Sequence, residues 1–141
     1  MMIKTYDLKA NDFTAAGSIS SDIKKIAKSY GMSPEMMRRV AVSCYEAEIN
    51  MIIHSHGGQI QLNIDEEWFN IVFRDTGPGI EDLELAMQPG WTTASIDAQS
   101  MGFGAGMGLP NIKKNVDTFE LLSSPKGTLL RMGFRRKGDS I

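Results

Sequence analysis

Ile60, Leu62 and Ile64 alternate with Gln61, Asn63 and Asp65, the period of two expected of a strand with one buried face. A polar turn at Asp65-Glu66-Glu67 follows, then a more apolar strand over Trp68–Arg74, so the pair predicts a hairpin. Upstream the period changes. Ile19, Ile23, Ile26 and Tyr30 recur at helical spacing, predicting a helix over Ser18–Tyr30 that Gly31 can close. Ser33-Pro34-Glu35 then opens a second helix with a capping serine, proline at the first helical position and an acid in the first turn. It should run to about Ser55 and stop at Gly57-Gly58. Met2–Leu8 carries a weaker strand pattern through Ile3, Tyr6 and Leu8. After a long stretch with little periodicity, a short helix is predicted from Pro110 to about Val116. Strands over Phe119–Ser123 and Thr128–Arg135, joined by a turn at Pro125-Lys126-Gly127, complete the pattern before a polar tail expected to fray. The fold class is α+β: a two-layer sandwich with a mixed, mostly antiparallel sheet covered on one face by helices.

Composition narrows the setting. The 141 residues predict a single domain over 1–141, and 42% hydrophobic with 23% charged residues is an ordinary globular balance. A formal net charge of −2 argues against a nucleic-acid partner. Cys44 is the one cysteine, which removes a disulfide framework or a cysteine-based metal site and suits a reducing compartment. No apolar run approaches the ~18 residues of a membrane span, and Met1–Asp7 has no signal-peptide profile. The expectation is a cytoplasmic protein with no membrane partner.

The second helix carries a polar stripe. Arg39, Ser43, Glu46, Asn50 and His54 fall within roughly 80° of one another at 100° per residue. Most of the remaining circumference is apolar, so the helix is expected to be buried on most sides. Two readings stand. The stripe is a narrow wet strip with Glu46 and Asn50 as an ordinary i,i+4 pair, or it floors a polar pocket. In the second reading Glu46 serves as a general base and Asn50 offers an oxygen to a hard cation such as Mg²⁺. His54 and His56 lie two apart, off a common helix face, and are read as non-metal residues.

Fourteen glycines sharpen the choice, because half of them fall between Asp75 and Gly108. A loop this long in a compact domain is usually functional. A short helix at Glu81–Met87 is the one element expected within it. Asp75-Thr76-Gly77-Pro78-Gly79 leaves a strand directly: the glycines permit close approach to a flat ligand, and Asp75 can accept from an exocyclic amine. The bland alternative is a plain turn. Gly102-Phe103-Gly104-Ala105-Gly106-Met107-Gly108 is harder to explain as turning alone, since alternate glycines cost backbone entropy. It leads into Leu109-Pro110-Asn111, a helix start, and glycines feeding a helix N-terminus make a phosphate cradle. Lys113 and Lys114 add charge nearby or are solvated helix lysines. The P-loop pattern, the dinucleotide fingerprint and the eukaryotic-type kinase set are all absent.

Glu46-Ala47-Glu48-Ile49-Asn50, Asp75-Thr76-Gly77-Pro78-Gly79 and Gly104-Ala105-Gly106-Met107-Gly108-Leu109 together resemble the three boxes of the GHKL ATPases. That superfamily includes gyrase, heat-shock chaperones, histidine kinases and mismatch-repair ATPases, and it shares the Bergerat fold. The resemblance implies ATP and Mg²⁺ as cofactors. It implies Glu46 as the activating base, Asn50 as the Mg²⁺ ligand and Asp75 as the adenine-reading acid, with Gly77, Gly79 and Ile80 shaping the base pocket. Gly102, Gly104, Ala105, Gly106, Met107, Gly108 and Leu109 correspond to the phosphate-cradling stretch, and Thr128 after Gly127 to a threonine that helps hold adenine. Residues 81–101 would be the ATP lid, in which Trp91-Thr92-Thr93 offers either a phosphate contact or lid packing.

At this length, with no sensor, dimerising phosphoacceptor helix or transducer domain in the sequence, the chain looks closest to the bacterial anti-sigma-factor serine/threonine kinases and their switch-type relatives. Gly104–Asp117 and Asn50 followed by Ile52-Ile53-His54 carry that likeness. It implies phosphorylation of a small STAS-domain regulator, with a sigma factor as another partner. The exposed first strand offers a route to a homodimer. Two other readings stay open: a nucleotide-dependent partner-switching module without useful turnover, and an ATPase or detached histidine-kinase catalytic domain. Glu48 departs from the simple pattern as a second acid facing elsewhere on the helix.

Overall fold

The computed structural model describes residues 2–77 and 108–136. Strands β1 (Met2–Leu8), β2 (Gly58–Ile64), β3 (Trp68–Asp75), β4 (Thr118–Ser124) and β5 (Gly127–Arg135) form one sheet in the order β1-β2-β3-β5-β4. Every described pairing is antiparallel. Helices α1 (Ser18–Ser29), α2 (Pro34–His54) and α3 (Gly108–Asn115) complete the domain, with a 3₁₀ turn at Phe13–Ala15. The expected α+β sandwich is what the chain forms. No helix among the described residues is long and apolar enough to cross a membrane.

Register follows from the alternation. Ile60, Leu62 and Ile64 pair with Phe73, Ile71 and Phe69, which in turn pair with Leu130, Met132 and Phe134. All nine are buried, so every second residue of three adjacent strands points at the helices. The opposite face holds Gln61, Arg74 and Arg131, all exposed. Asp65 shapes the hairpin turn by accepting from the N–H groups of Glu67 and Trp68 at 2.8 and 2.7 Å.

Element ends shift slightly from expectation. Tyr30 and Ser55 stand just past their helices as C-caps, β2 begins at Gly58 and β3 reaches Asp75. Ser33 caps α2 as its sequence predicts, its hydroxyl accepting from Met36 N–H at 3.2 Å. Pro110 is the third residue of α3 rather than the first, because the helix starts at Gly108. Val40, Cys44, Ala47, Ile49, Met51 and Ile52 of α2 are buried, but Tyr45, counted with its apolar surround, is 40% exposed. The tail from Lys137, the predicted helix at 81–87, the lid at 81–101 and the glycine stretch from Gly102 to Met107 lie outside the described residues.

Candidate active site

Helix α2 is the common floor of the candidate site. Its exit carries the second box. His56 N–H donates to Thr76 O at 2.7 Å, and Thr76 N–H donates back to Gly57 O at 3.0 Å. Gly77 N–H reaches Lys126 O at 3.4 Å, so the Asp75-Thr76-Gly77 turn is stitched both to the segment that leaves α2 and to the β4–β5 turn. The Ser55 hydroxyl organises this exit by donating to Met51 O at 2.6 Å and accepting from Gly57 N–H at 3.0 Å.

Asp75 ends β3 beside β5. Thr128 N–H donates to its Oδ1 at 3.0 Å, which brings together two residues expected on one ligand. The approach depends on Gly127, since a Cβ there would fall on the Asp75 carbonyl oxygen. The Thr128 hydroxyl also lies 2.9 Å from that of Ser123. Burial raises the Asp75 carboxyl above the usual range, while the Thr128 N–H and the charge of His56 pull it back.

The polar stripe divides in two. Arg39 bonds to the end of α3, and Ser43 is fully buried, its hydroxyl without a partner among the described residues. Glu46, Asn50 and His54 are half-buried. The Asn111 side-chain amide hydrogen-bonds to the Glu46 carboxyl; burial raises that carboxyl's pKa and the Asn111 bond lowers it, with burial the larger effect. Burial likewise pushes the His54 imidazole down. Asn50 stands one turn beyond Glu46, toward Asp75, about 6 Å along the axis.

Of the sequence-predicted residues, Glu46, Asn50, Asp75, Gly77, Gly108, Leu109 and Thr128 are among the described residues. Gly108 and Leu109 open α3 three and two residues before the Asn111 that meets Glu46. Gly79, Ile80, Gly102, Gly104, Ala105, Gly106 and Met107 lie outside the described residues. Sequence reasoning missed the part played by Asn111, which entered only in the helix start that follows the glycine stretch. It also missed the work of Glu48. That side chain is 1% exposed and accepts from the N–H groups of Gly17, Ile19 and Ser20 at 3.1, 3.4 and 2.9 Å. The signal was α1 itself, which begins after a glycine and has no acid in its first turn.

Comparison with known proteins shows the family. The family described as "Histidine kinase-like ATPase domain" matches residues 10–134. The chain is 28% identical over 104 residues to "Serine/threonine-protein kinase RsbT" of Bacillus subtilis, covering 71% of this chain and 72% of that protein. It is 39% identical over 100 residues to "Anti-sigma F factor" of Thermoanaerobacter sp., covering 67% of this chain and 65% of the relative. The anti-sigma F factor of Halalkalibacterium halodurans is 34% identical over 95 residues, with 63% and 62% covered. The chain thus spans just under two thirds of those anti-sigma factors.

Proposed function

The chain belongs to the histidine kinase-like ATPase domain family, and from that premise we propose that it is an ATP- and Mg²⁺-dependent serine/threonine protein kinase of the anti-sigma or switch type, acting in the cytoplasm. Its substrate is a hydroxyl on a small STAS-domain regulator. The observation that carries this reading is the spacing of two half-buried carboxyls along one floor. Asp75 sits at the exit of α2, Glu46 sits under the start of α3, and Asn50 stands between them. In this reading a nucleotide lies along this line, its base at Asp75 and its phosphates toward α3.

The donor set suits the ligand. Asp75 Oδ1 is fixed by Thr128 N–H, and Oδ2 is the oxygen assigned to accept from an exocyclic amine. Asn50 Oδ1 is a hard oxygen donor for Mg²⁺. In this reading the phosphates lie at the N-terminus of α3, where the first backbone N–H groups have no partner within the helix. When bound, ATP with Mg²⁺ supplies a γ-phosphoryl group whose charge is partly neutralised. Glu46 accepts the proton of the attacking partner hydroxyl on a carboxylate oxygen, while Asn111 holds that carboxylate toward the site. The rest of the catalysis is positioning and electrostatics. The names of the relatives, a serine/threonine kinase and anti-sigma F factors, support the choice of hydroxyl over histidine as acceptor.

Calorimetric titration with ATP and with GTP, each with and without Mg²⁺, tests the site. Mg²⁺-dependent binding that prefers ATP is expected; no binding by folded protein overturns the reading. Glu46→Gln then separates kinase from binding module. Loss of transfer to a STAS-domain protein with ATP binding retained is the kinase result, and unchanged transfer removes Glu46 from the chemistry. Acid-stable phosphoprotein is expected, since phosphohistidine would be lost in acid.

A further inference from the structure

An eight-residue helix cannot hold itself together in water, so α3 must be finished by its neighbours. Ile112 is fully buried and sets its depth. Depth alone leaves the helix free to turn about its axis and its last carbonyls without partners. Both needs are met from α2. Arg39 Nε donates to the Asn115 carbonyl at 2.8 Å, and its Nη2 pairs with Asp117 Oδ1 at 2.9 Å just beyond the helix. Asp117 is itself fixed, its Oδ2 accepting from Arg135 N–H at 2.7 Å and its own N–H donating to Gly133 O at 2.8 Å. The guanidinium also lies over the Phe134 ring, 5.9 Å from its centroid. One turn back, the buried Asn115 side chain donates to Asn111 O at 2.7 Å, and Asn111 is the residue that bonds to Glu46.

We propose that Arg39 is a positioning residue for the active site: it caps the C-terminal end of α3 from a different helix and so holds Asn111 on Glu46. A cation at a helix C-terminus is favourable by the helix dipole, and a guanidinium can serve a carbonyl and a carboxylate together. The role rests on the functional reading above only where Glu46 is taken as the base; the holding of α3 stands without it. Arg39 acts through Asn115 and Asn111, with its own contacts to Asn115, Met36, Asp117 and Phe134.

Hydrogen exchange on the nucleotide-free chain tests this directly. Arg39→Gln is expected to speed exchange of the α3 amides about tenfold or more, while amides of β2, β3 and α1 change little. Unchanged α3 exchange, or acceleration spread evenly over all elements, overturns the proposal. Asp117→Asn keeps the carbonyl cap and loses the ion pair, so it should give a smaller acceleration confined to α3; it serves also if Arg39→Gln does not fold, and no local effect from it then overturns the proposal. In turnover assays, Arg39→Gln should lower kcat more than it raises KM for ATP. That loss should vanish in an Asn111→Ala background, because both changes cut one path. Additive losses overturn the path. A wild-type chain that binds no ATP, with α3 exchange still responding to Arg39→Gln, faults the kinase reading and not the clamp.

Discussion

Glu46 and Glu48 stand two residues apart on α2 and face opposite neighbours, and the contrast between the two sides of that helix separates structure from chemistry. On the far side, Glu48 is almost fully buried and takes three backbone N–H groups at the start of α1. Its charge is spent on groups the helix left unpaired. On the near side, Glu46 is half-buried, held by one side-chain amide and raised in pKa by burial. A carboxylate buried under three backbone N–H groups is a joint; one that is partly desolvated and singly held can still take a proton. Arg39 repeats the joint with opposite sign, finishing the end of α3. One helix therefore caps two neighbours, one with an anion at an N-terminus and one with a cation at a C-terminus.

The sharpest way to break this comparison is to exchange the two acids separately. Under the kinase reading, Glu46→Gln should cut phosphoryl transfer by roughly 10²–10⁴ and leave stability within about 0.5 kcal/mol. Glu48→Ala should do the reverse: it removes the acceptor of three N–H groups at a partly buried helix start and costs about 2–4 kcal/mol in urea unfolding. If Glu46→Gln destabilises as much as Glu48→Ala, both acids are joints and the comparison fails.

Asp75 sharpens the same contrast at the other end of the floor. It resembles Glu46 in being half-buried, raised in pKa and held by one described donor. Asp75→Asn keeps an oxygen for Thr128 N–H but turns an amide N–H₂ toward the ligand's amine. ATP affinity should fall about 10–100-fold in calorimetry, with a stability change under about 1 kcal/mol. Undiminished affinity would show that Asp75 belongs with Glu48 as a structural acid.

The sheet was legible because its signals are local. Ile60, Leu62 and Ile64 state their face by alternation, and Ser33-Pro34 states a helix start, with no reference to distant residues. The stripe through Glu46 and Asn50 was legible for the same reason. What faces that stripe was not. Arg39 meets Asn115 and Asp117 across 76 and 78 positions, and Glu48 meets Gly17 across 31. No periodicity encodes such pairings. The clue was a deficit: α1 starts without a capping side chain and α3 is too short to stand alone, so each needed a partner that spacing cannot name.

The smallest effect expected is also the one with a definite sign. Burial lifts the Glu46 carboxyl above the ordinary glutamate range in the folded chain. Over the window between the ordinary value and the raised one, the folded state holds more proton than the unfolded state. Stability from this group therefore falls as pH rises through that window. Asp22 has the opposite sense. The Lys4 and Tyr6 side-chain bonds hold its carboxyl below the usual range, so its contribution is present above the ordinary value and lost as pH falls. Unfolding of wild type and Glu46→Gln should thus agree at acid pH, with the variant gaining relative stability toward neutrality. Asp22→Asn should instead match wild type at low pH and lag it near neutrality, by a small margin because the pair with Lys4 is exposed. A Glu46→Gln curve parallel to wild type across the whole range would mean that Glu46 is not desolvated, and would remove the physical basis for setting it apart from Glu48.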